Sequence, residues 1–260
     1  MGTLDRMHTS TMSFRVATLN LEQHHKRWDL RRELVIDQLA DLQPDVMAFN
    51  EICMPLQTGR WLQRMVRERL GRPYALVQQS KVNGSSLVDG EALLTQYPVV
   101  ETANWDYRTQ DMVAQVVRLD LEGRLLDVYV THLYRSRGDD ALRLYQVQQL
   151  LAWMASRDDV EARIVCGDCN ATLEMPSAQL MASIFRPTQT APTAFTPLQD
   201  TDGHVSHPYW PRFDRCIDDM WVAGPLAVRA SGVCFNTPSA TDPTLWPSDH
   251  AGVWADLTFI

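Results

Sequence analysis

Carboxylates, carboxamides and imidazoles stand at the ends of apolar, β-like stretches along this chain. Asn20 follows Phe14–Leu19, and Asn50 and Glu51 follow Val46–Phe49. His132 follows Leu125–Thr131, Asp168 and Asn170 follow Arg163–Cys166, and Asp249 with His250 come just before Gly252–Phe259. Side chains of these types exchange protons and bind hard cations. A sheet that delivers its polar residues to one rim builds a site there. Asp218 lies inside the apolar run Cys216–Val222. A carboxylate in such a strand is costly unless paired, and His250 is a natural partner. Each of the others, taken alone, also has an ordinary structural reading. Asn20 and Gly167-Asp168 suit turns, Ser248-Asp249 suits a helix cap, Glu51 suits a solvated strand end, and either histidine suits a structural hydrogen bond.

The elements that must position these residues alternate early. The strand Phe14–Leu19 precedes a helix that Asp29 can cap, carrying Leu30, Leu34, Val35, Leu39 and Leu42 and stopped by Pro44. The strand Val46–Phe49 precedes a helix over Gly59–Leu70. Strands then fit Tyr74–Gln78, Glu91–Thr95, Val113–Leu121 and Leu125–Thr131, the last two joined by the hairpin signal Glu122-Gly123. A long helix fits Asp140–Ser156, Arg163–Cys166 is a strand, and a helix begins at Ser177 and ends before Pro187. Pro187–Phe213 reads as an extended loop, and Cys216–Val222, Leu226–Val233 and Gly252–Phe259 as strands. Strands alternating with helices, then paired with one another, imply mixed sheets covered by helices. Neither a linker nor a repeat appears. Residues 1–13 read as a disordered leader or a cloning remnant, and 14–260 as one domain.

The chain has 260 residues, 24 Lys plus Arg against 32 Asp plus Glu, and a net charge of −8. With 45% apolar and 22% charged residues it has globular composition. The acidic balance argues against coating nucleic acid by bulk charge, yet leaves room for an enzyme that handles phosphate through a metal or a few local cations. The 5 cysteines form no disulfide framework pattern. No apolar run approaches the ~18–20 residues of a membrane span, and no signal peptide is evident. A reducing, cytoplasmic setting, no stable membrane association and a monomeric state are the expectations.

In order, the stretches ATLNL (Ala17–Leu21), QPDVMAFNEI (Gln43–Ile52), EALLTQYPVV (Glu91–Val100), VTHL (Val130–Leu133), CGDCNAT (Cys166–Thr172), RCIDDMWV (Arg215–Val222) and WPSDH (Trp246–His250) resemble the endonuclease/exonuclease/phosphatase superfamily. The resemblance spans Phe14 to Phe259. It implies a four-layer α/β/β/α sandwich of two facing mixed sheets, deoxyribonuclease I-like. It also implies divalent-metal-dependent hydrolysis of phosphoesters, in particular phosphodiesters, with DNA or RNA the favoured substrate. The runner-up is a small molecule or lipid headgroup; a catalytically inactive binding protein on the same fold is the alternative of another class. By the same resemblance Glu51 and Asn20 belong to a Mg²⁺ or Mn²⁺ site, which Asp249 joins directly or through water. Asp168 matches the residue that orients or deprotonates the attacking water, Asn170 and His132 match phosphate-contacting groups, and His250 stabilises developing charge while Asp218 holds it in one tautomer.

The pattern is departed from in three places: Asn50 stands where Gln is common, Cys169 where Phe is common, and Asp219 where Tyr is common. Strand alternation puts Asp219 on the face opposite Asp218, so solvent or a secondary pairing is its expected setting. Cys166-Gly-Asp-Cys169 is formally C-x-x-C, but its first cysteine ends a strand rather than opening a helix, which disfavours a redox role. His24 and His25 read as loop residues. Arg60, Arg64 and Arg67 share one helix face and read as solvated. Arg135, Arg137 and Arg143 follow the His132 strand end and are better placed to meet phosphate. Among the aromatics Tyr209, Trp210, Phe213 and Trp246, we single out Trp210 and Trp246, with Arg135 and Arg137, as substrate contacts.

Overall fold

A computed structural model of the protein describes residues 12–22, 24–81, 89–135, 139–189 and 215–260. Most of the expected leader, Arg137, Tyr209, Trp210 and Phe213 lie outside the described residues, as does the expected loop from residue 190 onward. The elements run β1 (Ser13–Asn20), α1 (Trp28–Leu42), β2 (Val46–Cys53), α2 (Thr58–Leu70), β3 (Ala75–Ser80), β4 (Asp89–Thr95), β5 (Val99–Asp106), β6 (Val113–Leu121) and β7 (Arg124–Thr131). They continue α3 (Ala141–Ala155), β8 (Ala162–Asp168), α4 (Pro176–Ala182), β9 (Arg186–Pro187), β10 (Asp218–Ala223), β11 (Leu226–Cys234) and β12 (Gly252–Phe259).

Two sheets of 6 strands form, in the orders β11-β12-β1-β2-β4-β3 and β5-β6-β7-β8-β10-β9. Both are mixed, with β1–β2 and β7–β8 parallel and the neighbouring pairs antiparallel. Three apolar clusters define the layers. Val16, Val46, Ala48 and Leu93 of one sheet meet Val117, Val128, Ile164 and Val222 of the other between the sheets. Outside the first sheet, Val35, Ile36 and Leu39 of α1 and Leu62 and Val66 of α2 pack on Leu19, Met47 and Phe49. Outside the second, Val147 and Leu150 of α3 and Met181 of α4 pack on Val116, Tyr129 and Val165. The strands carry apolar residues on both faces because both faces are covered, which makes a four-layer α/β/β/α sandwich.

The Glu122-Gly123 turn joins β6 to β7 with φ of 56° and 90°, the positive angles a tight two-residue hairpin turn requires. Asp29 does not cap α1. The cap position is Arg27, in a left-handed conformation and without a side-chain cap, while Asp29 lies in the first turn and pairs with Arg32 at 2.9 Å. β5 was not expected, because its exposed polar residues give no apolar signal; it is the edge strand of its sheet. Met12 packs, partly buried, against the inter-sheet core, ahead of the expected Phe14 start.

Strand direction delivers the polar residues to one rim. β1, β2, β7 and β8 all end there, with Asn20 level with Asn50. β10 and β12 begin there, being antiparallel to β8 and β1. Asp218 is therefore the first residue of its strand, directly opposite Asp168, rather than a mid-strand acid. Gly167 lets this rim close. Its φ is 132°, and a Cβ on it would lie 2.1 Å from the Thr131 carbonyl oxygen. Replacing Gly167 with Ala forces β7 and β8 apart beside Asp168; the expected loss is about 1–3 kcal/mol, read by urea denaturation, with Gly123→Ala as a control that meets nothing within 4 Å.

Candidate active site

Asp168, at the end of β8, is the hub. Its Oδ2 accepts from Asn20 Nδ2 at 3.0 Å, and its Oδ1 accepts from the backbone N–H of Asn170 at 2.9 Å. Its own N–H donates to Asn50 Oδ1 at 2.8 Å. His132 Nε2 lies 3.5 Å and His250 Nε2 4.0 Å from the same Oδ2. His250 Nδ1 meets Asp218 Oδ2 at 2.7 Å, the pairing that the cost of a buried carboxylate demands. Ser248 ties this segment to β1: its hydroxyl donates to the Asn20 carbonyl at 2.6 Å and accepts from the His250 N–H at 3.3 Å.

Glu51 reaches the rim through a bulge. Pairing of β2 with β4 passes from Phe49–Ala92 to Ile52–Gly90, so β2 spends an extra residue on Asn50 and Glu51. Glu51 has φ 59° and Asn170 has φ 49°, both left-handed. Such backbone persists where the surroundings over-determine it, often in functional sites. The bulge turns the Asn50 amide toward Glu91, to which it donates, and toward the Thr131 carbonyl at 3.0 Å.

Sequence reasoning missed part of the cluster. Lys81, just beyond the end of β3 with its side chain 9% exposed, bonds Asp89 Oδ2 at 2.6 Å and His132 Nδ1 at 3.2 Å. Glu91 is buried in the apolar strand β4, the same signal that marked Asp218. Glu22 is buried and pairs with buried Arg31 at 3.3 Å. Arg31 also donates to the Pro247 carbonyl at 2.9 Å, so it joins the loop after β1 to the segment carrying Asp249.

Charge sets the protonation states. Burial pushes Glu51 up to about 8, with Asp249 and Asp168 adding repulsion against the relief from Lys81 and His250. Burial likewise pushes Glu91 up to about 8, and burial with Asp218 pushes Asp168 up to about 7. Burial opposes charge on His250, but Asp218, Asp249 and Asp168 more than offset it and hold the ring protonated. His132 is held neutral by burial, then by Lys81 and His250. Since the Lys81 ammonium can only donate, it takes His132 Nδ1 as acceptor, and the His132 proton sits on Nε2 facing Asp168.

The donor atoms of Asp168, Asp218 and His250 lie within 4.8 Å of one another, close enough for one ion. His250, however, is protonated and spends Nδ1 on Asp218, which leaves oxygen donors as the better fit. Asp249 and Asp168 both raise the proton affinity of buried Glu51, a crowding of acids suited to a hard divalent cation. Asn20 stands beside them, its Oδ1 accepting from the Glu22 N–H at 3.0 Å and its Nδ2 on Asp168.

Other expected residues fall elsewhere. Asn170 gives its Nδ2 to the Leu133 carbonyl at 3.0 Å. Arg135 is exposed and lies near enough to His132 to act on its charge. Arg143 does not face the rim: it is buried and pairs with Asp140 at 2.7 Å, while Asp140 also holds the Ser177 N–H at the start of α4. Trp246 is half-buried, and its indole N–H has no partner among the described residues. Cys166 faces the inter-sheet core and Cys169 the helices, and burial raises both thiols, Cys166 to about 12. Neither is a thiolate nucleophile. Arg60, Arg64 and Arg67 are exposed on α2, as expected.

Asp219 is a correction. It is buried, not solvated, because the outer face of β10 is covered by α3 and α4. It borders a small cavity lined by Leu133, Cys169, Ser177 and Trp221, and neither its Oδ2 nor the Trp221 indole N–H has a partner among the described residues.

Comparisons with known proteins bear on the family and the fold. The model of the Endonuclease/Exonuclease/phosphatase family matches residues 17–250. The chain belongs to that family. Its fold is similar to the human Nocturnin catalytic domain with bound sulfate, at TM-score 0.73 and 23% identity, covering 96% of this chain and 97% of that one. A family member from Bacteroides thetaiotaomicron gives TM-score 0.75 at 16% identity, covering 96% and 99%. D. rerio TDP2, complexed with a single-strand DNA product, gives 0.73 at 15%, covering 94% and 98%. Comparison with curated proteins returned no match. Among the described residues no helix is long and apolar enough to cross a membrane.

Burial, then Asp218 and Asp168, hold the Asp219 carboxyl well above the usual range. The folded protein therefore binds a proton that the unfolded chain, with a carboxyl near ~4, has released. Stability falls as pH rises above that value toward the folded pKa. Asp219→Asn removes this penalty: the variant is expected to exceed the parent by about 1–3 kcal/mol at pH ~8, with the gap closing toward pH ~4, in urea denaturation across pH.

Proposed function

We propose that this family member is a divalent-metal-dependent phosphoesterase that cleaves phosphodiesters, with nucleic acid as its favoured substrate. The observation that carries the reading is the convergence of Asp168, His132, His250 with Asp218, and the Glu51 carboxylate on one rim of the sandwich. An inactive binding protein has no reason to keep so many buried acids and imidazoles facing one another.

Each residue has a role that its surroundings favour. Asp168, with a proton affinity near neutrality, accepts a proton from the attacking water, its carboxylate fixed by Asn20 and the Asn170 N–H. Protonated His250 donates to a phosphate oxygen as charge develops. Asp218 fixes that ring and keeps its charge. His132, with Lys81 behind it, and Asn170 line the phosphate position. Glu51, with Asn20 and Asp249, would hold Mg²⁺ or Mn²⁺, which when bound neutralises phosphate charge and lowers the pKa of coordinated water. The human Nocturnin catalytic domain has a bound sulfate anion and D. rerio TDP2 is complexed with a single-strand DNA product, which supports a phosphate-handling enzyme and a nucleic-acid substrate. The net charge of −8 favours short or single strands over a long duplex; it is also the observation that keeps a small-molecule phosphodiester as the second reading.

Turnover of a bis(aryl) phosphate with Mg²⁺ or Mn²⁺, lost with chelator, is the expected result. Asp168→Asn and His250→Ala lower kcat by about 10²–10⁴-fold, whereas Cys169→Ser keeps most activity. No turnover of any phosphoester with either ion refutes the reading. Asp218→Asn removes a charge that raises the His250 pKa. The alkaline limb of its pH–rate profile is therefore expected at lower pH than in the parent, which a kcat/KM profile reads directly.

A further inference from the structure

The space between the sheets is apolar over most of its length. At one corner of the site rim it is not. Gln79 on β3 pairs across the sheet with Glu91, and Asn104 on β5 pairs with Gln115 on β6. Val77, next but one to Gln79, packs into the inter-sheet core, so strand alternation turns Gln79 the same way. On β5, Ala103 and Trp105 pack toward the α3 side, which turns Asn104 and Asp106 inward to face it. A polar strip therefore runs from Glu91, which holds the Asn50 amide, to the open edge between β3 and β5.

This strip is under-satisfied. Gln79 is 8% exposed and Gln115 is 0% exposed, yet each has a carboxamide oxygen with no partner among the described residues. A buried amide left unpaired is costly, so the strip favours a partner that bonds to it. Gln79, Asn104, Trp105 and Asp106, with Met54 and Ser80, line a cleft of about 440 Å³, within the usual size of small-ligand sites. The cleft adjoins the site: Ser80 leads directly into Lys81, which touches His132, and Met54 continues the strand that presents Glu51. Among the described residues no cation lines it and Asp106 does, which disfavours a phosphate there. The lining offers what a neutral heterocycle needs: carboxamides that match the mixed donor and acceptor edge of a base, with the Met54 thioether beside them.

We infer that this cleft between β3 and β5 is a nucleobase subsite, binding the base next to the phosphate that sits at His132 and His250. The inference rests on the phosphoesterase reading for the position of that phosphate, but the cleft itself is independent of turnover.

Two measurements separate the two. The first is equilibrium binding of adenosine, which carries no phosphate, followed by dialysis without metal. The parent binds it, and Gln79→Met and Asn104→Ala each weaken binding at least fivefold. The second is the ratio of kcat/KM for a dinucleotide to that for a bis(aryl) phosphate, which falls at least tenfold in both variants. Asn104 is exposed, so Asn104→Ala stands if Gln79→Met fails to fold. Adenosine binding that depends on Asn104 without turnover of any phosphoester upholds the cleft and removes the hydrolase reading. Turnover with no adenosine binding and an unchanged ratio in both variants overturns the cleft and leaves the hydrolase reading intact.

Discussion

The rim is governed by mutual repulsion among buried carboxylates. Glu51, Glu91, Asp168, Asp218 and Asp219 are all under a tenth exposed, and they crowd the ends of β2 and β8 and the starts of β4 and β10. Burial raises the proton affinity of Glu51, Glu91, Asp168 and Asp219, and neighbouring acids raise it further. Lys81 and protonated His250 are the cations set among them. Most of the local architecture follows from holding this cluster together. Asn50 and Asn20 spend their amides on it, Ser248 pins one segment to β1, and Arg31 clamps the loop carrying Glu22 to Pro247. Such a rim is unfavourable as a structural feature alone; in the function proposed here, a divalent cation and a phosphate would offset the repulsion.

Strand direction explains why the cluster can exist. A carboxylate at the end of a parallel strand and one at the start of its antiparallel neighbour arrive at the same height, as Asp168 and Asp218 do. Two sheets packed face to face double the supply. Gly167, where any side chain would strike the Thr131 carbonyl, and the bulge at Asn50-Glu51 adjust the last ångströms.

Much of this was legible in the sequence. The apolar runs ending in Asn20, Glu51, His132 and Asp168 gave both the strands and the rim, since buried parallel strands read as continuous apolar stretches. The Asp218–His250 pair followed from the cost of an acid in an apolar strand. Lys81 was not legible, because a lysine after a strand looks like any solvated residue until its burial is known. β5 was missed for the converse reason: an edge strand with polar residues on one face carries no apolar signal. Asp219 was misread because alternation gave its face correctly but not what covers that face; α3 and α4 do. Arg143 was misread because an arginine near a strand end points to phosphate only if no acid is closer, and Asp140 is.

A divalent cation that would complete the acid cluster is the central proposal for this site. Its most direct test is calorimetric titration with Mg²⁺ and Mn²⁺ near neutral pH, in buffers of different ionisation enthalpy. Glu51, pushed up to about 8 by burial, is protonated there, and binding must displace that proton. The predicted result is saturable binding with net proton release, lost in Glu51→Gln. Binding without proton release, or binding unchanged by Glu51→Gln, would contradict the account.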